Sequence, residues 1–180
     1  MHDDVIETLR TAQRFGFFGS RPIDDAIAHS HQYVTALGVL GTGTRLIDIG
    51  SGGGLPGLVV ADAYPMVDVT LLDRREKRTD FLHQAVGRLG WTHVTVVCAD
   101  VDDVIAEVGS GACQPFDVVT ARGFGPPDVT LRSARNLLTS DGRIVISEPP
   151  SANRWPAALL EDLRVARHQV GGVSVFTPSG

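Results

Sequence analysis

The sequence predicts an α/β fold: a doubly wound, mostly parallel sheet of seven strands that ends in an antiparallel hairpin and is preceded by N-terminal helices. Three observations predict it. From Arg45 onward, short apolar runs alternate with stretches of helical spacing, the pattern of buried parallel strands joined by crossover helices. The first of these runs passes directly into a glycine-rich turn, Gly50-Ser51-Gly52-Gly53-Gly54. Near the end, two strand-like segments flank Gly171-Gly172, a dipeptide suited to the positive φ angles of a tight hairpin turn.

The elements follow in order. Asp3 and Asp4 can cap a first helix with Val5, Ile6 and Leu9 on one face. After a break from Phe15 to Ser20, Pro22 with Asp24 and Asp25 starts a second helix, which runs to about Leu37 and stops before Gly38. Strands are expected at Arg45 to Ile49, Asp68 to Leu72, Val94 to Cys98, Phe116 to Ala121 and Arg143 to Ser147. Between the second and third, Phe81, Leu82, Ala85, Val86 and Leu89 recur at helical spacing, so Arg75 to Leu89 lays one apolar stripe on the sheet. Val129 to Leu138 behaves similarly, and the hairpin arms are Val165 to Val170 and Val173 to Thr177.

A chain of 180 residues, 43% of them hydrophobic, suffices for one core, so one domain is expected, with 1–40 as a helical extension and 45–177 as the sheet core. No apolar run approaches the roughly 18 to 20 residues that span a bilayer, and Met1-His2-Asp3-Asp4 is acidic where a secretory signal is basic. A cytoplasmic monomer with no membrane partner is the expectation. The formal net charge of -5 lacks the global signature of a protein that grips long nucleic acid through many phosphates. Arg74, Arg75, Lys77 and Arg78 form the densest local basic patch, whose ordinary reading is a solvated helix face. Cys98 and Cys113 read as free thiols, and no His, Cys or carboxylate spacing suggests a metal.

The glycine turn follows Leu46-Ile47-Asp48-Ile49, where a ligand must press against the backbone and side chains would block it. Asp73 ends the second strand, placed for its carboxylate to accept hydrogen bonds from two ribose hydroxyls. Together they make two halves of a nucleoside site. Gly52-Gly53-Gly54-Leu55-Pro56-Gly57 also satisfies the G-x-G-x-x-G spacing of a dinucleotide-binding turn, but the strand ends at Gly50 rather than at the first glycine of that triplet. Asp48 at the strand end would repel a pyrophosphate, yet suits the ammonium of a methionine moiety or a water near it. The third strand leads into Ala99-Asp100, where an adenine fits: Ala99 leaves room for the ring and Asp100 can accept from its amino group, cap the following helix, or do both. A sheet with this turn and a terminal hairpin resembles the Rossmann-like class I methyltransferases, which use S-adenosyl-L-methionine.

Asp48-Ile49-Gly50-Ser51-Gly52-Gly53-Gly54-Leu55-Pro56-Gly57, then Leu71-Leu72-Asp73 with Lys77-Arg78 and Phe81-Leu82, is similar to the RsmG (GidB) family of 16S ribosomal RNA guanine-N7 methyltransferases. The likeness extends more weakly through Phe116-Asp117-Val118-Val119-Thr120-Ala121-Arg122 and covers about Gly16 to Ser147. It implies ribosomal RNA or the small ribosomal subunit as partner, and a cofactor site around Asp48, Gly50, Ser51, Gly52, Gly54, Leu55, Asp73, Ala99, Asp100 and Arg122. Three segments depart from the family pattern. His31 and Thr35 fit an Arg-His motif with a small hydroxyl residue four positions on, but Ser30 replaces the arginine; Glu148-Pro149 replaces Lys-Gly after the fifth strand; and Arg122-Gly123 replaces Arg-Ala.

Guanine N7 holds an in-plane lone pair and no proton, so methyl transfer to it needs no general base, consistent with a sequence that shows no Ser-His-Asp or Cys-His constellation. Positioning and dipoles would carry the catalysis. Ligands on open α/β sheets bind beyond the carboxyl ends of the strands, which nominates Arg122, Gly123 and Glu148 for the acceptor end, while His31 can approach the same mouth from the N-terminal helices. Arg122 can bind a carboxylate or a phosphate, and Glu148 is expected to point at Arg122, at His31 or at a donor on the base edge. A methyltransferase acting on a small molecule or protein, and a cofactor-binding module without catalysis, are the competing readings.

Overall fold

A computed structural model describes residues 1–19, 22–148 and 154–179; Ser20 and Pro149 lie outside the described residues. Two helices, α1 (Asp3–Arg14) and α2 (Ile23–Leu37), precede β1 (Arg45–Ile49), α3 (Gly57–Ala63), β2 (Asp68–Asp73), α4 (Glu76–Leu89) and β3 (Val94–Cys98). Then follow α5 (Val101–Ser110), β4 (Phe116–Ala121), α6 (Pro127–Leu137), β5 (Leu138–Ser147), α7 (Ala157–Asp162), β6 (Val165–Val170) and β7 (Val173–Pro178). The strands form one sheet in the order β3-β2-β1-β4-β5-β7-β6. All pairs from β3 to β5 are parallel, and β7 runs antiparallel to both β5 and β6.

Alternation along the strands divides the core in two. Leu46, Val69, Leu71 and Val118 pack with α1, α2, α3 and α4 on one face. Ile47, Ile49, Leu72 and Val119 pack with α5, α6 and α7 on the other. Because both faces are covered, the central strands are apolar almost throughout, which is why their bounds are readable in the sequence.

Two local expectations change. His2, not Asp3 or Asp4, occupies the N-cap of α1; the two acids lie in its first turn, where they favour the helix dipole. The strand expected from Arg143 begins at Leu138, because the chain leaves α6 directly in extended form and pairs Phe116 with Leu138 before a register shift. Thr139-Ser140-Asp141-Gly142 imitates a turn, yet it is an irregular strand segment. The seven-residue α3 shows no amphipathic period since Gly57 to Ala61 are all buried.

Since β2 and β4 both flank β1 while the chain visits β3 on one side and β5 on the other, the strand order reverses beside β1. Ile49 pairs with Ala121, so Gly50 and Arg122 leave the sheet side by side at this switch point, where open α/β sheets bind their ligands.

Candidate cofactor and acceptor cleft

The turn after β1 is held to the end of β2. Ser51 N–H donates to the Leu72 carbonyl at 2.9 Å, Ser51 Oγ to the Asp48 carbonyl at 2.8 Å, and Gly54 N–H to the Ser51 carbonyl at 2.8 Å. Gly52 has φ 58°, and a Cβ there would sit 3.2 Å from Arg78 Nη1. Gly53 is required for a different reason: a Cβ would lie 2.8 Å from the Phe18 ring and 2.9 Å from Phe17 Cβ. A cofactor can therefore approach the backbone on one side of the turn while two aromatic residues cover another part of it.

Asp73 is buried at the end of β2. Oδ2 accepts from Gly52 N–H and Oδ1 from Arg75 N–H, each at 2.9 Å, and Arg78 Nη1 lies 3.5 Å from Oδ2. The carboxylate thus ties the turn to the strand while still lining the cleft. Asp100 Oδ1 accepts from Asp102 N–H at 3.2 Å and caps α5, and Asp100 also lines the cleft, so both roles expected of it are open.

Two hollows meet at this point. The first, about 380 Å³, is lined by Gly50, Asp73, Ala99, Asp100, Phe124 and Val129 among others. The second, about 280 Å³, is lined by Phe17, Phe18, Ser51, Gly52, Leu55 and Arg122 among others. Gly50, Arg78 and Gly123 belong to both, which makes the pair one bent cleft.

Asp48 and Gly54 line neither hollow. A Cβ on Gly54 would lie 2.4 Å from Leu58 Cδ1, so this glycine serves the packing of α3. Asp48 is fully buried behind the turn; Thr120 Oγ1 donates to its Oδ1 at 2.7 Å, while Oδ2 has no hydrogen-bond partner among the described residues. Burial pushes its carboxyl up to about 6, opposed by the Thr120 hydroxyl and by the positive charge of Arg122. Tyr33, buried on α2, donates its hydroxyl to the Ala121 carbonyl at 2.7 Å and so anchors the residue before Arg122 to the N-terminal helices.

The expected acceptor residues part company. Arg122 lines the second hollow. His31 is exposed on α2 and lines neither hollow. Glu148 does not face Arg122 or His31: its side chain is 5% exposed and turned toward the terminal hairpin. Oε1 accepts from Trp155 Nε1–H, from Ser174 Oγ and from Arg167 Nη2 at 3.2 Å, and Arg154 Nε lies 3.6 Å from Oε2. A strand end fixes where the backbone emerges but not which way the next side chain turns. Here two arginines and two neutral donors draw the carboxylate away from the cleft. In the other direction, Phe17, Phe18 and Phe124 line the cleft without any local sequence signal, because their approach to the turn is a long-range contact.

Among the described residues no three His, Cys, Asp or Glu side chains group in a way that could hold a metal ion, and no helix is long and apolar enough to cross a membrane.

A seven-stranded sheet in this order, closed by an antiparallel hairpin and cleft at the β1/β4 switch point, is the Rossmann-like fold of class I methyltransferases. The chain matches the GidB family, rRNA small subunit methyltransferase G, over residues 8–152, and it belongs to that family. Similar curated relatives carry the name ribosomal RNA small subunit methyltransferase G. The protein of Laribacter hongkongensis is 42% identical over 123 residues, covering 68% of this chain and 56% of its own length. That of Chromobacterium violaceum is 41% identical over 106 residues, covering 59% and 48%. The chain therefore spans about half the length of the curated relatives it matches. Among solved structures, precorrin-6y C5,15-methyltransferase from Geobacter metallireducens superposes with a TM-score of 0.57 at 18% identity, covering 83% of this chain and 85% of that one.

Proposed function

We propose that the chain is an S-adenosylmethionine-dependent methyltransferase that modifies N7 of a guanine in 16S ribosomal RNA, acting transiently, as a monomer, on the small ribosomal subunit in the cytoplasm. One observation carries the reading: in a chain of this family, a nucleoside-sized hollow and a second hollow bearing Arg122 join at Gly50, Arg78 and Gly123.

When bound, S-adenosylmethionine supplies a sulfonium methyl group, so that a nitrogen lone pair forms the new N–CH3 bond while the S–CH3 electron pair returns to sulfur and no proton moves. The residues of the chain bind and orient. Asp73 offers carboxylate lone pairs to ribose hydroxyls, Ala99 and Asp100 bound the adenine, and Gly50, Ser51, Gly52 and Leu55 bring backbone close to the chain beyond the ribose. Arg122 holds the methionine carboxylate or a substrate phosphate. Asp48, behind the turn, acts on Arg122 through its charge and on the turn through its own carbonyl, which accepts from Ser51.

Glu148 is compatible with an RNA acceptor. Its carboxylate is compensated by Arg154, ahead of α7, and by Arg167 on β6, so the loss of the family's lysine at this position does not put an anion into the cleft.

The test is twofold. Titration calorimetry should show S-adenosylhomocysteine bound in preference to NAD, and labelled methyl groups should pass from S-adenosylmethionine to small ribosomal subunits from a strain that lacks the chain. NAD bound in preference, or label transferred to a small molecule or protein and not to RNA, would overturn the reading.

A further inference from the structure

Phe17 and Phe18 follow α1 and cross the glycine turn, but they do different work. The crossing is fixed by Gly16 N–H donating to the Gln13 carbonyl at 2.9 Å and Phe17 N–H to the Ala12 carbonyl at 3.1 Å. The Phe17 ring is committed to packing: it meets Phe81 edge-on at 5.4 Å between centroids and Phe15 at 5.9 Å, with Lys77 Nζ 6.0 Å from its centroid. This peg fastens the segment to α4. Phe18 also packs against the core on this side of the sheet but has no ring partner among the described residues; its Cζ and Cε1 lie 2.8 and 2.9 Å from where a Cβ on Gly53 would be. It is half-buried and lines the second hollow together with Arg78 and Arg122.

We propose that Phe18 is the stacking platform for the acceptor base, an unstacked purine of a single-stranded RNA segment. The inference rests on the methyltransferase reading above and names the residue that would position its substrate. The chemistry asks for such a surface. The N7 lone pair lies in the plane of the ring, so a base presenting N7 to a methyl donor must be held by its faces, with its edge left free. An aromatic side chain does this for any base, and RNA enzymes and binders use it on bases taken out of a helix. The first hollow, with Ala99 and Asp100, takes the adenine, so Phe18 is not needed as a wall for the cofactor's own ring. Arg78 and Arg122 on the walls of the second hollow provide the cations that a flanking phosphate requires.

Three measurements on Phe18→Leu and Phe18→Tyr test this. Phe18→Leu should lower kcat/KM for methylation of small ribosomal subunits by about tenfold to a hundredfold, the usual effect of removing a base stack, whereas Phe18→Tyr should restore it to within about threefold of the wild type. Affinity for S-adenosylhomocysteine should stay within about twofold in both variants, because Phe18 does not line the first hollow, which takes the nucleoside. Independently of turnover, the fluorescence of a short single-stranded RNA carrying one 2-aminopurine should be quenched by wild-type protein saturated with S-adenosylhomocysteine, and by Phe18→Tyr, but much less by Phe18→Leu. The proposal is overturned if Phe18→Leu methylates subunits as well as the wild type does, or if it loses S-adenosylhomocysteine affinity to the same extent as turnover, which would make Phe18 a cofactor wall. Wild-type protein that binds S-adenosylhomocysteine but transfers nothing to RNA would remove the reading beneath the proposal, and the proposal with it.

Discussion

Gly52 and Asp73, 21 residues apart in the chain, are joined by a 2.9 Å hydrogen bond from the glycine amide to Oδ2, so the turn after β1 and the end of β2 move as one unit. Asp73 therefore shapes the cleft before any ligand arrives. Asp73→Ala leaves the Gly52 and Arg75 amides without this acceptor and removes the one proposed for the ribose. It should cost about 1 to 3 kcal/mol of S-adenosylhomocysteine binding by titration calorimetry. Unchanged affinity would show that the carboxylate contributes to neither role.

Gly52→Val should be more severe. The residue has φ 58°, a conformation that β-branched side chains avoid, and its Cβ would sit 3.2 Å from Arg78. Binding of S-adenosylhomocysteine should fall further than in Asp73→Ala, and a variant that binds like the wild type would mean that the ligand does not approach this face of the turn.

Much of the fold was legible, and the reasons are local. Buried parallel strands read as apolar runs, so Arg45–Ile49, Val94–Cys98 and Phe116–Ala121 fall where the residues predict them. Gly171-Gly172 announces the final turn for the same kind of reason. The gathering of Gly50, Asp73, Ala99 and Asp100 round one hollow was also legible, because they sit at strand ends and the topology gathers strand ends. The placement of the residues expected at the acceptor end was not. Glu148 and His31 occupy plausible backbone positions, but Arg154, Trp155, Arg167 and Ser174 turn the first away, and the exposed face of α2 carries the second. Phe18 reaches Gly53 from 35 positions earlier, a contact no periodicity reports.

Glu148 is now expected to matter for stability. Glu148→Lys would place a third cation beside Arg154 and Arg167 and should destabilise by about 3 to 5 kcal/mol, the usual cost of breaking a buried charged cluster. Thermal unfolding should report the loss. Glu148→Gln, which keeps one acceptor for Trp155 and Ser174, should unfold at an intermediate temperature and retain the KM of the wild type for ribosomal subunits. A large KM change in folded Glu148→Gln would return this residue to the acceptor site.

Asp48 gives a pH signature. Its carboxyl, pushed up to about 6 from 3.8 by burial, is bound to a proton more tightly in the folded state than in the unfolded one. Its contribution to stability is therefore full below the unfolded value and is lost as pH rises through the folded one. Asp48→Asn removes that dependence. The unfolding free energy of Asp48→Asn minus that of the wild type should shift in favour of the variant by about 2 kcal/mol between about pH 4.5 and about pH 7.5. Chemical denaturation across that range measures it, and a difference that does not vary with pH would mean that Asp48 titrates as an ordinary carboxylate.

The most direct test of the central claim is the nucleoside content of 16S ribosomal RNA. Small subunits from a strain lacking the chain are incubated with the purified protein and S-adenosylmethionine, and the RNA is digested and separated by chromatography with mass detection. 7-Methylguanosine should appear in proportion to protein and time, and Asp73→Ala should slow its appearance. Subunits that gain no 7-methylguanosine, from protein that binds S-adenosylhomocysteine normally, would rule out guanine N7 as the acceptor.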